Sequence, residues 1–128
     1  MFDKSESLCK SNLSVVKFSN LLHRINPTKH NFFIHMNVRS LNKNINKLED
    51  FLKTLPYLPK VIVISETKLK THNYNLTNIQ NYNFHSVDSP TNSGGIAMYI
   101  HSSLSYKLRP DLSLKQVLVE DLWLENLF

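Results

Sequence analysis

Two polar residues of this 128-residue sequence could take part in phosphate chemistry, because each stands where a predicted strand ends. Glu66 directly follows the apolar run Val61–Ser65, and in open α/β sheets ligands collect at the carboxyl ends of strands. One well-placed glutamate can anchor Mg²⁺, which is usually held by one or two carboxylates while water and substrate phosphate fill its other positions. The alternative is an ordinary solvated acid at a strand end.

Asn37 lies near the end of the preceding predicted strand, on the face that it shares with Phe33 and His35. An amide there can hydrogen-bond a phosphate oxygen or a metal-bound water without adding charge. The alternative is that Asn37 caps or turns the chain as it leaves the strand. If the two strands end side by side, Asn37 and Glu66 lie together at one end of the sheet.

Basic residues follow both positions in the sequence. Arg39 comes shortly after Asn37, and we expect Lys43, Lys68 and Lys70 to lie in the loops that follow the two strands. These side chains would make this end of the sheet positive and help it hold a nucleic-acid backbone. The chain has 15 Lys and Arg against 10 Asp and Glu, and this formal charge of +5 favours a polyanionic partner. Lysine is also a common solubilising residue, so the net charge alone does not identify that partner.

The elements that must position these residues follow from the apolar pattern. Over about Phe32–Val38, a set of apolar residues recurs at every second position, which is the two-residue period of a strand. Leucine and isoleucine then recur at helical spacing over residues 45–55, which predicts an amphipathic helix. Asn42 or Asn44 is available as its N-cap, and Pro56 would stop it.

The β-branched run Val61–Ser65 predicts a second strand, covered on both faces. Strand, helix and strand suggest a βαβ-like start, with antiparallel pairing as the alternative. Residues 70–93 read as a long surface connection with a possible short element at Tyr82–Phe84. The chain's two glycines precede a predicted buried strand, Ile96–Ile100, and Val117–Leu124 resembles a further strand.

Residues 1–30 form a polar leader with a possible short helix, which we expect to lie outside the core of a single domain over residues 31–128. A lone cysteine, Cys9, excludes an intramolecular disulfide and a cysteine-built zinc site. No apolar run is long enough to span a membrane and no signal peptide is indicated, so a nuclear or cytoplasmic, unsecreted protein is expected. Nucleophile-elbow, phosphate-loop and dinucleotide-binding motifs are absent.

The order of these motifs resembles the opening of an endonuclease/exonuclease/phosphatase domain. Within that superfamily it most resembles the apurinic-endonuclease-like domain of jockey-type non-LTR retrotransposons. The resemblance covers about Asn31–Phe128. The motifs that carry it, with the amphipathic helix between the first two, are Asn37-Val38-Arg39-Ser40-Leu41, Val61-Ile62-Val63-Ile64-Ser65-Glu66-Thr67-Lys68-Leu69, Ser93-Gly94-Gly95-Ile96-Ala97-Met98-Tyr99-Ile100 and Glu120-Asp121-Leu122-Trp123-Leu124.

The resemblance implies a four-layer α/β sandwich that hydrolyses phosphodiester bonds of DNA with Mg²⁺ or Mn²⁺. Glu66 would be the metal ligand, and Asn37 the amide that orders the active-site network. Such domains carry a later tyrosine, an Asp-x-Asn motif and a terminal Asp-His pair, and none of these has a counterpart here. The chain therefore resembles the first half of the domain, which a missing second half, or a reverse transcriptase region, would accompany in an intact relative.

Three functional interpretations follow. The first is a partial endonuclease domain with little or no activity alone, because catalytic groups that act as a unit lose most of their effect when members are missing. Its half sandwich would leave an apolar sheet face and an open strand edge uncovered. The second is a hydrolase with a different site near Glu66, for which Asp88, Asp111 and Asp121 are the plausible acids. The third is a non-enzymatic basic module that binds nucleic acid.

Overall fold

In the computed structural model of this chain, the described residues are 20–24, 31–70, 77–88, 93–113 and 124–126. They form a mixed α/β structure with one long helix packed on a sheet. Residues 20–23 are also helical. In chain order the elements are β1 (Phe33–Asn37), α1 (Leu41–Lys53), β2 (Val61–Ser65), β3 (Tyr82–Val87), β4 (Ile96–His101), β5 (Tyr106–Leu108), a 3₁₀ turn (Pro110–Leu112) and β6 (Leu124–Asn126).

The main sheet has four strands in the order β1-β2-β4-β3, and β5 pairs with β6 in a separate two-stranded sheet. Strands β1 and β2 are parallel, with Phe33 opposite Val61 and Asn37 opposite Ser65. Of the two pairings left open by the sequence, the βαβ arrangement is therefore correct. Strand β4 runs antiparallel to both of its neighbours. We call the end of the sheet where β1 and β2 finish its carboxyl end, and the opposite end its amino end.

Helix α1 covers one face of the sheet and builds the core. Its buried residues recur every three or four positions, so they form one stripe along the helix. Each fully buried aliphatic side chain contributes about 1.5–3 kcal/mol relative to an exposed one. The stripe packs with sheet residues that face the helix, in a cluster that includes Leu41, Ile45, Leu48, Leu52, Ile62, Ile64, Ala97 and Tyr99.

The other face of the sheet is only partly covered by described residues. Along β1 the exposed and half-buried residues alternate, and Phe33 on this face is 58% exposed. The β5–β6 sheet approaches this face at one place, where the Tyr106 hydroxyl lies 2.6 Å from the His85 Nε2 atom. Among the described residues this face therefore carries one exposed large apolar side chain, Phe33, and the uncovered apolar face stays a prediction.

Helix α1 differs from the prediction at both ends. It begins at Leu41, so Ser40 occupies the N-cap position, without a side-chain capping hydrogen bond. Asn44 is inside the helix, and its Nδ2 group instead donates to the backbone oxygens of Val38 (2.8 Å) and Ser40 (3.0 Å). The helix ends at Lys53, before the predicted Pro56 stop, with Thr54 as its C-cap. Asn44 thus ties the helix back to the end of β1 rather than capping it.

Within the connection predicted over 70–93, the short element predicted at Tyr82–Phe84 is present and extends to Val87 as β3, a six-residue strand at the edge of the sheet. Strand β3 pairs with β4 from Tyr82 opposite His101 to Val87 opposite Ile96. Its polar composition is typical of an edge strand, so the apolar pattern indicated only its first three residues. Strand β5 was not predicted, and residues 117–123 of the predicted last strand lie outside the described residues.

One residue of the predicted leader belongs to the core. Leu22 is 2% exposed and packs in the same cluster as the α1 stripe. The expectation of a leader wholly outside the core is therefore wrong at Leu22, whereas a division of the chain at residue 30 stays a prediction. No helix in the described part of the chain is long and apolar enough to cross a membrane.

Candidate functional site

The carboxyl end of the sheet brings Asn37 and Glu66 to neighbouring strand ends. Asn37 is paired with Ser65, so Glu66 is the next residue after that partner. The backbone N–H of Val38 donates to the Ser65 oxygen at 3.2 Å and extends the pairing by one step. Strands in a sheet are about 4.8 Å apart. The predicted juxtaposition of Asn37 and Glu66 thus follows directly from the parallel register.

Backbone hydrogen bonds hold the segment after Glu66 against two neighbouring segments. Thr67 N–H donates to the Gly95 oxygen at 3.1 Å, and Lys68 N–H donates to the Gly94 oxygen at 2.8 Å. On the other side, Leu41 N–H donates to the Thr67 oxygen at 2.9 Å. The start of α1, the end of β2 and the glycine pair before β4 are therefore joined into one connected turn region.

Glu66 has a backbone conformation that is unusual for its residue type. Its φ angle is 56°, and Lys68 two residues later has φ 55°. A non-glycine residue in this left-handed region costs on the order of 1–3 kcal/mol, and such residues cluster at functional sites. The Glu66 side chain is half-buried and forms no ion pair with the other described residues. A half-buried carboxylate at a strand end is the kind of group that can bind a cation.

Gly95 allows this turn region to pack closely. Its φ angle is 102°, and a Cβ atom built on it would overlap the hydroxyl oxygen of Thr67. Thr67 is 1% exposed, and its hydroxyl accepts a hydrogen bond from Leu69 N–H at 3.3 Å. The sequence indicated only a turn at this glycine, whereas the structure shows that it also leaves space for the residue next to Glu66.

Asn37 is exposed at the end of β1, on the face of Phe33 and His35 as predicted. Its Oδ1 atom accepts a hydrogen bond from Arg39 N–H at 3.3 Å. The turn-capping role that the sequence left open is therefore present. Because the carbonyl oxygen serves the turn, the Asn37 NH₂ group is the part of the amide that can donate to a phosphate oxygen or a water molecule.

The basic residues are distributed around this end of the sheet. Arg39, Lys43 and Lys68 are exposed, while Lys70 is half-buried and already has an interaction partner. The expectation that Lys43 lies in a loop is wrong, because Lys43 is in the first turn of α1. That turn begins at the carboxyl end of the sheet, so Lys43 still belongs to the region around Glu66.

The described residues hold no group of three or more His, Cys, Asp or Glu that could bind a metal ion. Glu66 fits the role of a single carboxylate ligand, which suffices for a Mg²⁺ ion that keeps several waters.

Asp88 follows β3, two strands away from β2, which corresponds to about 10 Å at normal strand spacing. Asp111 is bound to Arg109 at 2.8 Å, and this hydrogen bond lowers the pKa of the Asp111 carboxyl. Asp121 lies outside the described residues.

A polar pair beside Asn37 was not singled out by the sequence. The Ser65 hydroxyl lies 3.2 Å from the His35 Nε2 atom. The interpretation of His35 as a strand residue with a satisfied ring is thus confirmed. Ser65 could have been found from the parallel register, which places it opposite Asn37, but the sequence left that register open.

The fold is similar to that of a solved structure. A chain in the crystal structure of an AP endonuclease from Leishmania major matches with a TM-score of 0.56 at 22% sequence identity, covering 67% of this chain and 30% of that chain. No family model and no curated protein matches this sequence. The region that matches this chain makes up 30% of the length of the structural neighbour, so the chain spans only part of it. The predicted α/β class is confirmed, with a four-stranded sheet consistent with part of an endonuclease/exonuclease/phosphatase-like fold.

Proposed function

We propose that this chain is the amino-terminal part of a metal-dependent phosphodiester hydrolase domain acting on DNA, of the endonuclease/exonuclease/phosphatase type found in non-LTR retrotransposons. The observation that carries the proposal is the parallel register, which places Asn37 beside Ser65 and the left-handed Glu66. The motif order and the fold likeness support it.

In this proposal Glu66 would hold Mg²⁺ or Mn²⁺ through its carboxylate. A bound metal ion of this kind supplies Lewis acidity and charge stabilisation at a phosphoryl oxygen. The NH₂ group of Asn37 donates a hydrogen bond to a phosphate oxygen or an ordered water. Arg39, Lys43 and Lys68 attract the DNA backbone, with Lys70 contributing charge nearby, so binding should weaken as salt is raised.

We further propose that the isolated chain has little or no nuclease activity. One carboxylate and one amide can bind and orient a metal-bound phosphate, but hydrolysis also needs a base for the attacking water and further charge stabilisation. The described residues around Glu66 hold no further cluster of acidic or histidine ligands that would complete such a site. A second half of the domain, carried by the same or another chain, would supply these groups.

The proposal is tested by binding of Mn²⁺, followed by electron paramagnetic resonance, together with nicking of supercoiled plasmid in Mg²⁺. We expect the folded chain to bind Mn²⁺, Glu66→Gln to lose that binding, and Glu49→Gln on α1 to keep it. Nicking should be absent or very slow. If Glu66→Gln binds Mn²⁺ as well as the unmodified chain does, the assignment of the site is wrong. Metal-dependent nicking that needs Glu66 would instead contradict the proposed inactivity.

The exposed cations favour a second candidate, a nucleic-acid-binding module without enzymatic function. Such a module would bind DNA in the absence of divalent ions, and Glu66→Gln would leave its affinity unchanged. Fluorescence anisotropy of a labelled duplex, measured over a range of salt concentrations with and without Mg²⁺, separates the two candidates. A triple substitution of Arg39, Lys43 and Lys68 by Gln should weaken binding in both.

A further inference from the structure

A cluster of reactive side chains lies at the amino end of the sheet, opposite the candidate site. The Lys60 Nζ atom lies 2.6 Å from the Ser103 Oγ atom, and the same Oγ atom lies 2.8 Å from the His101 Nδ1 atom. We call these residues the Lys60–His101–Ser103 cluster. They come from the residue before β2, the last residue of β4 and the turn that follows it.

The backbone fixes the positions of Lys60 and His101. Lys60 N–H donates to the Phe32 oxygen at 2.9 Å, and His101 N–H donates to the Lys60 oxygen at 2.8 Å. The turn after β4 is closed by Leu104 N–H, which donates to the His101 oxygen at 3.0 Å. Lys60 and His101 are thus anchored at strand ends, which hold side chains in place better than a long loop does, and Ser103 lies in the short turn closed by Leu104.

Hydrogen bonds also determine which nitrogen of the His101 ring carries the proton. Ser103 N–H donates to His101 Nδ1 at 3.2 Å, so this nitrogen is an acceptor and carries no proton. The ring packs edge-on against Tyr82, with 5.3 Å between ring centroids. Burial and then the nearby charge of Lys60 lower the pKa of His101, which favours the neutral ring at pH 7. The Tyr82 hydroxyl is itself held by the Pro59 oxygen at 2.6 Å.

These bonds polarise the Ser103 hydroxyl in one direction. Lys60 donates to the oxygen of Ser103, while the Ser103 O–H donates to the unprotonated Nδ1 of His101. The positive charge stabilises negative charge on the oxygen, and the ring is placed to take its proton. A serine within hydrogen-bond reach of a base is the general arrangement of an activated nucleophile, and here the Tyr82 ring packs against that base. The neighbouring Ser102 has no such side-chain bond to either residue among the described contacts.

We propose that Ser103 is an activated nucleophile that is acylated by small electrophilic esters, at a site separate from Asn37 and Glu66. In the reaction the Oγ atom attacks the ester carbonyl carbon and forms the new Oγ–C bond. His101 Nδ1 takes the hydroxyl proton, the bond from the carbonyl carbon to the leaving oxygen breaks, and His101 returns the proton to that oxygen. The products are an acylated Ser103 and the free alcohol. Ser103 is exposed, so a small ester can reach it.

The test uses p-nitrophenyl acetate and the folded chain. Tandem mass spectrometry would locate the acetyl group, and hydroxylamine would distinguish a serine ester, which it removes, from an acetylated lysine, which it leaves intact. We expect acetylation of Ser103 to be at least tenfold faster than that of Ser102. Ser103→Ala should abolish the hydroxylamine-sensitive product, and Ser102→Ala should leave its rate unchanged.

Substitutions of the two partners test how Ser103 is activated. His101→Gln should slow acetylation of Ser103 by about a hundredfold, the usual scale for loss of a general base. Lys60→Gln should slow it less, and Lys60→Arg should keep most of the rate because it retains the positive charge. Circular dichroism confirms that each variant is folded. Equal labelling of Ser102 and Ser103, or labelling confined to lysines, would overturn the proposal.

Discussion

The two ends of the sheet hold their turns in different ways. At the carboxyl end, Arg39, Glu66 and Lys68 have left-handed backbone conformations. Residues of these types adopt this conformation only with steric strain. At the amino end the left-handed residue among those described is Asn81, which tolerates this conformation well. Backbone strain is therefore concentrated where Glu66 lies. The fold thus accepts backbone strain at the carboxyl end, where it positions Glu66. At the amino end the turn is formed by a residue type that adopts the left-handed conformation with little strain.

The largest expected effect comes from Gly95→Ala. The new Cβ atom would overlap the Thr67 hydroxyl oxygen, and the left-handed backbone would add strain. We expect the free energy of unfolding to fall by about 3 kcal/mol, at the upper end for overpacking of a tight site. Urea denaturation followed by circular dichroism measures this change. Gly94→Ala is the matched control, because Gly95 is the described glycine with a positive φ angle. Equal effects of the two substitutions would show that close packing against Thr67 is unimportant.

A second prediction tests directly whether Glu66 stores strain. Glu66→Gly should raise the free energy of unfolding by about 1 kcal/mol, because glycine adopts the left-handed region without steric cost. The same substitution should remove Mn²⁺ binding, so stability and function would change in opposite directions. In α1, Glu49→Gly should lower stability by about 1 kcal/mol. A loss of stability in Glu66→Gly would mean that contacts of the glutamate side chain outweigh the backbone strain.

Much of this arrangement could be predicted from the sequence, and the remainder could not for physical reasons. Strands β1, β2 and β4 are found near their predicted positions because their apolar runs are strong, and the ends of β1 and β2 then place Asn37 and Glu66. The sequence indicated only the Tyr82–Phe84 part of strand β3, because the strand is polar and lies at the sheet edge, where half of its backbone groups need no partner. The N-cap was misassigned since Asn42 and Asn44 have good capping side chains, yet the helix begins at Leu41.

The position of the candidate site around Asn37 and Glu66 could be predicted from the sequence. The backbone conformation and close contacts that surround it could not. The left-handed φ angle of Glu66 and the contact between Gly95 and Thr67 depend on how three segments meet, and no local pattern encodes them. The Lys60–His101–Ser103 cluster joins residues 43 positions apart in the sequence. Pairing of β2 with β4 brings them together, and that pairing was not predicted.

Acid should weaken the fold through two histidines outside the candidate metal site. Burial lowers the pKa of both His85 and His101, and the charge of Lys60 lowers that of His101 further. The unfolded chain therefore binds protons at a higher pH than the folded chain does. Their contribution to stability is complete above about pH 6.5, the ordinary pKa of histidine, and declines as the pH falls below it.

The urea midpoint should therefore be lower at pH 5 than at pH 7.5. His85→Gln should reduce this difference, since the Tyr106 hydroxyl that lies 2.6 Å from His85 can still bond to an amide that does not titrate. His23→Gln is the control, because His23 is exposed in a different part of the chain. If the pH dependence is the same in His85→Gln as in the unmodified chain, His85 is not one of the groups responsible.

The smallest effect is expected at Asn81, where the amino end of the sheet turns. Its φ angle is 73°, and asparagine already adopts this region readily, so Asn81→Gly should change the free energy of unfolding by only a few tenths of a kcal/mol. Lys68→Gly at the carboxyl end should stabilise by about 1 kcal/mol because lysine is less tolerant of its φ of 55°. The two variants, measured by urea denaturation under the same conditions, isolate backbone strain from side-chain contacts. A gain at Asn81 as large as that at Lys68 would mean that strain is shared by both ends of the sheet, and the left-handed backbone of Glu66 would then no longer mark the carboxyl end as the place of the candidate metal site.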